Sequence, residues 1–138
     1  MDHKESPQEL IKPIIELFFS GQVQEALDAV ETLINDFPNQ PLLFNICGVF
    51  YKEIGQLDEA IKRFEKALAI DPDYAEAHNN LGVTLQNLGL MDEAVKSYEK
   101  AIAFRPDYAE GYNNLGNIFK ELEQLDAAVI NYEKVIAI

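Results

Sequence analysis

The chain has no tryptophan and only one cysteine among its 138 residues. A single thiol excludes an internal disulfide framework. Basic residues are scarce: 11 Lys and Arg stand against 24 Asp and Glu, a net charge of −13. A phosphate backbone needs clustered Lys and Arg, so nucleic acid is not an expected partner. An anionic membrane surface is excluded on the same ground. The acid is spread along the chain and reads as a solvated exterior. No long apolar run exists either. The stretch Ile11–Phe19 is broken by Lys12, Pro13 and Glu16 and is too short to span a bilayer. The start, Met-Asp-His-Lys-Glu-Ser, lacks the basic-then-apolar order of a signal peptide. A cytoplasmic protein is the expectation.

Catalytic equipment is equally thin. The histidines are His3, in a polar tail, and His78, inside an apolar pattern. Neither has a base–orienter–nucleophile set beside it. Asp71 and Asp73 have a calcium-like spacing, but Pro72 separates them and no ligand series follows. No glycine loop of the phosphate-binding kind is present. The expectation is a protein that is not an enzyme, without metal or cofactor.

What is there is a period of 34 residues. Gly48, Gly82 and Gly116 keep it, as do Ala26, Ala60, Ala94 and Ala128, and Pro38, Pro72 and Pro106. A strict period of this size signals stacked helical repeats. In one repeat, Ala75–Leu88 places Leu81, Gly82, Leu85 and Leu88 at helical spacing. Gly89 ends that helix in the manner of a residue tolerant of the left-handed region. A second helix runs over about Met91–Phe104, with Ala94, Tyr98, Ala101 and Ile102 on one face, and Pro106 stops it. Asp107 with Glu110, and Asp73 with Glu76, read as capping-box variants. Gly82 and Ala94 are small where the two helices cross. Tyr98, Phe64 and Tyr132 are large where a helix is expected to meet the next repeat. Cys47 shares its repeat position with Leu81 and Leu115, so a buried hydrophobe is expected there.

These residues resemble the tetratricopeptide repeat. The pattern reads Cys47-Gly48, Tyr51, Ala60, Phe64, Ala67, Pro72 in the second repeat. It reads Leu81-Gly82, Leu85, Ala94, Tyr98, Ala101, Pro106 in the third, and Leu115-Gly116, Phe119, Ala128, Tyr132, Val135 in the fourth. Phe44, His78 and Tyr112 stand where the family favours an early aromatic. The resemblance implies an all-α, right-handed α–α superhelix of four tandem units and about eight helices. The units are a polar tail over 1–6, a divergent repeat over 7–40, and repeats over 41–74, 75–108 and 109–138, all in one domain. In the first repeat Pro13 and Ile14 replace Leu-Gly. Ser6-Pro7-Gln8-Glu9 is a strong helix start, and Pro13 must kink that helix or shift its beginning. The first crossing is expected to be looser.

In the family it resembles, first helices line a concave groove that binds protein segments. That implies a peptide-binding surface at Asn45, Val49 and Lys52; at Asn79, Asn80, Val83 and Gln86; and at Asn113, Asn114, Asn117 and Lys120. Asn is a poor helix residue, yet Asn79, Asn80, Asn113 and Asn114 sit mid-helix. Repeated carboxamides can grip peptide groups by donor and acceptor together. Asn80 and Asn114 resemble the asparagine ladder in the repeat domain of O-linked N-acetylglucosamine transferases. The alternative is that these amides are solvated or bond neighbouring repeats. Lys52 and Lys120 are the basic residues of this surface, with Glu53 and Glu121 beside them. A heat-shock chaperone clamp is not expected, because Ile11, Ile15, Asn79 and Val83 occupy the clamp-like positions.

The fourth repeat ends without a polar capping helix, so Val129, Tyr132 and Ile136 are expected to be exposed and open to self-association as a homo-oligomer. Three functions follow: a scaffold for a protein or peptide partner, a substrate-recruiting fragment of a larger glycosyltransferase or sulfotransferase, or a self-assembling module.

Overall fold

The computed structural model describes residues 5–138; His3 and most of the polar tail lie outside them. The described residues form eight α-helices and no strand: α1 (Pro7–Phe19), α2 (Val23–Asp36), α3 (Pro41–Glu53), α4 (Leu57–Ile70), α5 (Ala75–Asn87), α6 (Met91–Phe104), α7 (Ala109–Glu121) and α8 (Leu125–Ala137). They fall into two compact units that divide between Pro72 and Asp73.

In the first unit α1 packs on α2, α3 on α4, and α3 also meets α2 and α1. Ser6 caps α1: its hydroxyl accepts from the Glu9 amide at 3.3 Å while the Glu9 carboxylate accepts from the Ser6 amide at 3.4 Å. Pro13 does not shift the start of the helix, which begins at Pro7 and runs through it. Pro13 lies on the exposed side, where its ring displaces no core residue. Ile14 and Val30 hold the positions of the glycine and the aromatic of the later repeats, and both are buried. Two branched aliphatics replace the glycine and the aromatic here, and α1 meets α2 through fewer residues than α3 meets α4, the looser crossing expected from the sequence. Phe18 stacks on Phe50 at 4.2 Å between centroids and fixes α1 against α3.

The same unit holds a polar knot that periodicity does not reveal. Arg63 of α4 grips Glu31 of α2 through two nitrogens, at 2.8 and 3.1 Å. The Cys47 thiol and Tyr51 hydroxyl of α3 donate to the same carboxylate at 3.3 and 3.4 Å. Cys47 is fully buried, as its repeat position predicts. Burial, then the Glu31 charge, push its thiol well above the ordinary range, so it is not a reactive thiolate.

In the second unit α5 packs on α6 and α7 on α8, with α7 also against α6 and α5. α5 and α6 match the two helices predicted with bounds to within a residue, and Gly89 follows α5 at φ +80°. One expectation is corrected. Asp107 does not cap α7: the N-cap residue is Tyr108, without a side-chain cap bond. Glu110 turns instead to Asn79 and the Tyr108 hydroxyl. The large aromatics lie on the glycine of their own repeat. A Cβ on Gly82 would lie 2.6 Å from the Tyr98 ring, and one on Gly116 would lie 2.5 Å from Tyr132. Phe64 stands over Gly48 in the same way in the first unit. The glycine is small because the aromatic of its partner helix sits directly on it.

Candidate functional site

The second unit carries an open cleft of about 450 Å³ between α5 and α7. Val83, Gln86 and Asn87 come from α5; Asn114, Asn117, Lys120 and Glu121 come from α7; Tyr98 of α6 forms the floor. The helical period puts these residues on one face: Val83 and Gln86 are three apart, and so are Asn114, Asn117 and Lys120.

The floor is fixed by packing. Tyr98 is buried with its ring on Gly82, and its hydroxyl donates to Gln86 Oε1 at 2.7 Å. Gln86 Nε2 in turn donates to Glu121 Oε1 at 3.2 Å. Burial, then Glu110 and Glu121, push the Tyr98 phenol far up, which keeps it a donor at any ordinary pH. On α8, the Tyr132 hydroxyl donates to Asn117 Oδ1 at 2.6 Å. Thus two second-helix tyrosines reach past the glycines and hold amides on the cleft wall.

Five predicted residues therefore line one cleft: Val83, Gln86, Asn114, Asn117 and Lys120. Asn80 and Asn113 lie outside its lining. Asn79 is corrected. It is fully buried, so it offers nothing to a ligand. Its Nδ2 donates to Glu110 Oε1 at 3.2 Å, and its Oδ1 accepts from Asn114 Nδ2 at 3.0 Å. It bonds the neighbouring repeat, one of the alternatives left open by the sequence. Asn45, in the first unit, is likewise buried and leaves the surface set. Val49 and Lys52 of that unit are half-buried, and Lys52 pairs with Glu53 at 3.4 Å. Lys120 makes none of the ion pairs found among the described residues.

Asn87 and Glu121 are first-helix surface residues in the sequence reading too, and Tyr98 is the cleft residue that sequence reasoning missed. The signal was present in Tyr98, whose hydroxyl requires a partner once the ring is buried. His78 fills its packing position, stacked on Phe104 at 5.6 Å between centroids. Tyr132 is also corrected: it is half-buried on Gly116, whereas Val129 and Ile136 are 52% and 86% exposed, joined by Ile130 at 56%. Among the described residues, no group of three or more His, Cys, Asp or Glu could hold a metal ion. No helix there is long and apolar enough to cross a membrane.

No curated protein matches the sequence. Among solved structures, the fold is similar to a crystal structure of MamA, with a TM-score of 0.84 at 23% identity, covering 94% of this chain and 76% of that one. It is also similar to MamA from Desulfovibrio magneticus RS-1, with a TM-score of 0.82 at 21% identity, covering 96% and 75%. At these identities the likeness shows the helical-repeat fold alone. A TPR repeat family model matches residues 48–89, and a tetratricopeptide repeat model matches residues 73–138. The chain belongs to the tetratricopeptide repeat family, whose helix pairs serve as protein-interaction scaffolds.

Proposed function

We propose that the second unit holds an extended peptide segment in the cleft between α5 and α7, and that the protein scaffolds an assembly through it. The observation that carries this is the cleft wall itself. Asn114, Asn117 and Lys120 stand in line on one helix face, with Val83 opposite. Carboxamides suit peptide groups, which need a donor and an acceptor together. The ladder expected at Asn80 and Asn114 becomes a row along α7.

A peptide array against the intact protein tests the reading. Asn114→Ala combined with Lys120→Ala is expected to weaken capture about tenfold or more, since each lost hydrogen bond is worth about 1 kcal/mol. Lys120 is exposed, but Asn114→Ala takes the donor from the buried Asn79 oxygen, so the melting temperature is expected to fall and capture is compared well below it. Equal capture by the double variant would count against the cleft.

A second reading, self-association, is favoured by α8. Ile102 of α6 packs onto α7, 2.7 Å from where a Gly111 Cβ would stand. Ile136 holds the same repeat position on α8 and is bare. This face is built to receive a helix, and a second copy would supply one. Sedimentation that stays monomeric at high concentration would sink this idea.

A further inference from the structure

A carboxamide can present either of its ends to a ligand, since one end donates and the other accepts. In the second unit that choice is already made. A carboxylate only accepts, so the end of Asn79 that faces Glu110 Oε1 at 3.2 Å is its Nδ2. The Asn79 oxygen is thereby turned to α7, where it accepts from Asn114 Nδ2 at 3.0 Å. Asn114 thus spends its donor end inward, on a fully buried residue. Its carbonyl oxygen is left on the cleft side, which Asn114 lines. Glu110 is itself steadied by the Tyr108 hydroxyl, which donates to Oε2 at 3.4 Å.

One turn further along α7 the setting is reversed. Tyr132 has its ring on Gly116 and donates its hydroxyl to Asn117 Oδ1 at 2.6 Å. The oxygen of Asn117 is spent, and its NH₂ group is left for the cleft. Lys120, the next residue on this face, is also a donor. The helix therefore offers an acceptor, a donor and a cation in order, each step rising about 4.5 Å along the axis. Such a row is polar from end to end, as an extended peptide backbone is.

We propose that Glu110, acting through buried Asn79, is a positioning residue that sets Asn114 as an acceptor, so that the cleft takes an extended peptide in one direction, with a backbone N–H on Asn114 and a backbone carbonyl on Asn117. This rests on the peptide reading above and adds a specificity rule to it. The peptide residue whose N–H meets Asn114 cannot be proline and cannot be N-methylated.

The test uses the tightest peptide from the array, N-methylated at one residue at a time, and fluorescence polarisation with the full chain. For the native protein, one position is expected to lose about tenfold in affinity, the size of one well-placed hydrogen bond, while its neighbours change little. Glu110→Ala is expected to erase that preference, because Asn114 is then free to turn over. Glu110→Gln can present either end of its amide to Asn79 and is expected to keep only part of the preference. Uniform tolerance to N-methylation would overturn the proposal, and so would an unchanged profile in Glu110→Ala. The profile of the native protein decides the direction claim even where Glu110→Ala fails to fold. If Asn114→Ala with Lys120→Ala binds the parent peptide like the native protein, the peptide lies elsewhere and the cleft reading itself fails.

Discussion

At the residue scale, single atoms decide this structure. Gly82 has no room for a methyl group, because its Cβ would stand 2.6 Å from a Tyr98 ring that is only 1% exposed. The ring cannot swing away without losing its bond to Gln86. Gly82→Ala is therefore expected to cost about 1–3 kcal/mol, the usual range for overpacking a filled core; urea denaturation measures it. Glu123 is the opposite case. It sits at φ +61° where the earlier repeats have Gly21, Gly55 and Gly89. A side chain there pays about 1–2 kcal/mol of left-handed strain, so Glu123→Gly is expected to raise the stability of the second unit by about 1 kcal/mol. Tyr108 sets an alkaline limit. Burial first, then Glu110 and Glu76, push its phenol from the ordinary 10.0 up to about 12. Between those values the unfolded chain releases a proton that the folded chain keeps, so stability falls as pH rises from 10 to 12. Below pH 10 the phenol leaves stability unchanged. Tyr108→Phe is expected to flatten that loss in melts taken across the range.

At the element scale, the sequence made most of the helices legible. Glycine, alanine, aromatic and proline recur because each repeat solves the same packing problem, so α5 and α6 are read to within a residue. The caps were less legible. Asp107 looks like a cap in isolation, but Glu110, its partner in that pattern, has a better use in bonding Asn79, which no local pattern encodes. The same holds for Asn79: its phase matched the surface asparagines, and only packing shows that it is buried. The Glu31–Arg63 pair, 32 residues apart, was hidden because it joins helices of different repeats. The cleft was half legible, since Asn114, Asn117 and Lys120 lie in helical register while Tyr98 reaches them from another helix. In α1, Pro13 removes one backbone donor from the helix interior. It lies on the exposed side, so Pro13→Ala restores that bond without disturbing the core. A gain of about 1 kcal/mol or more is expected, given the helix penalty of about 3 kcal/mol for an interior proline. Hydrogen exchange of the α1 amides would slow accordingly; an unchanged rate would show that the helix had already absorbed the cost.

At the scale of the whole molecule, the excess of 24 acidic over 11 basic residues is mostly uncompensated. The ion pairs among the described residues are few, and apart from Arg63–Glu31 they are solvent-screened. The folded chain therefore repels itself, and added salt relieves that repulsion by shortening the screening length to about 8 Å at 0.15 M. The melting temperature is expected to rise between 10 mM and 200 mM sodium chloride; a fall would mean that net attraction dominates. The same charge favours partners that are neutral or basic, and it leaves Lys120 as a local exception on the cleft wall.

The glycine–aromatic contacts have one more consequence. Phe64, Tyr98 and Tyr132 each lie flat against a neighbouring backbone, so Gly48, Gly82 and Gly116 sit within the ring current of one aromatic apiece. Their α-protons are expected to resonate well upfield of ordinary glycines in a magnetic field. With no tryptophan to crowd the spectrum, those three signals would serve as separate built-in gauges, each recording whether its own helix pair is closed.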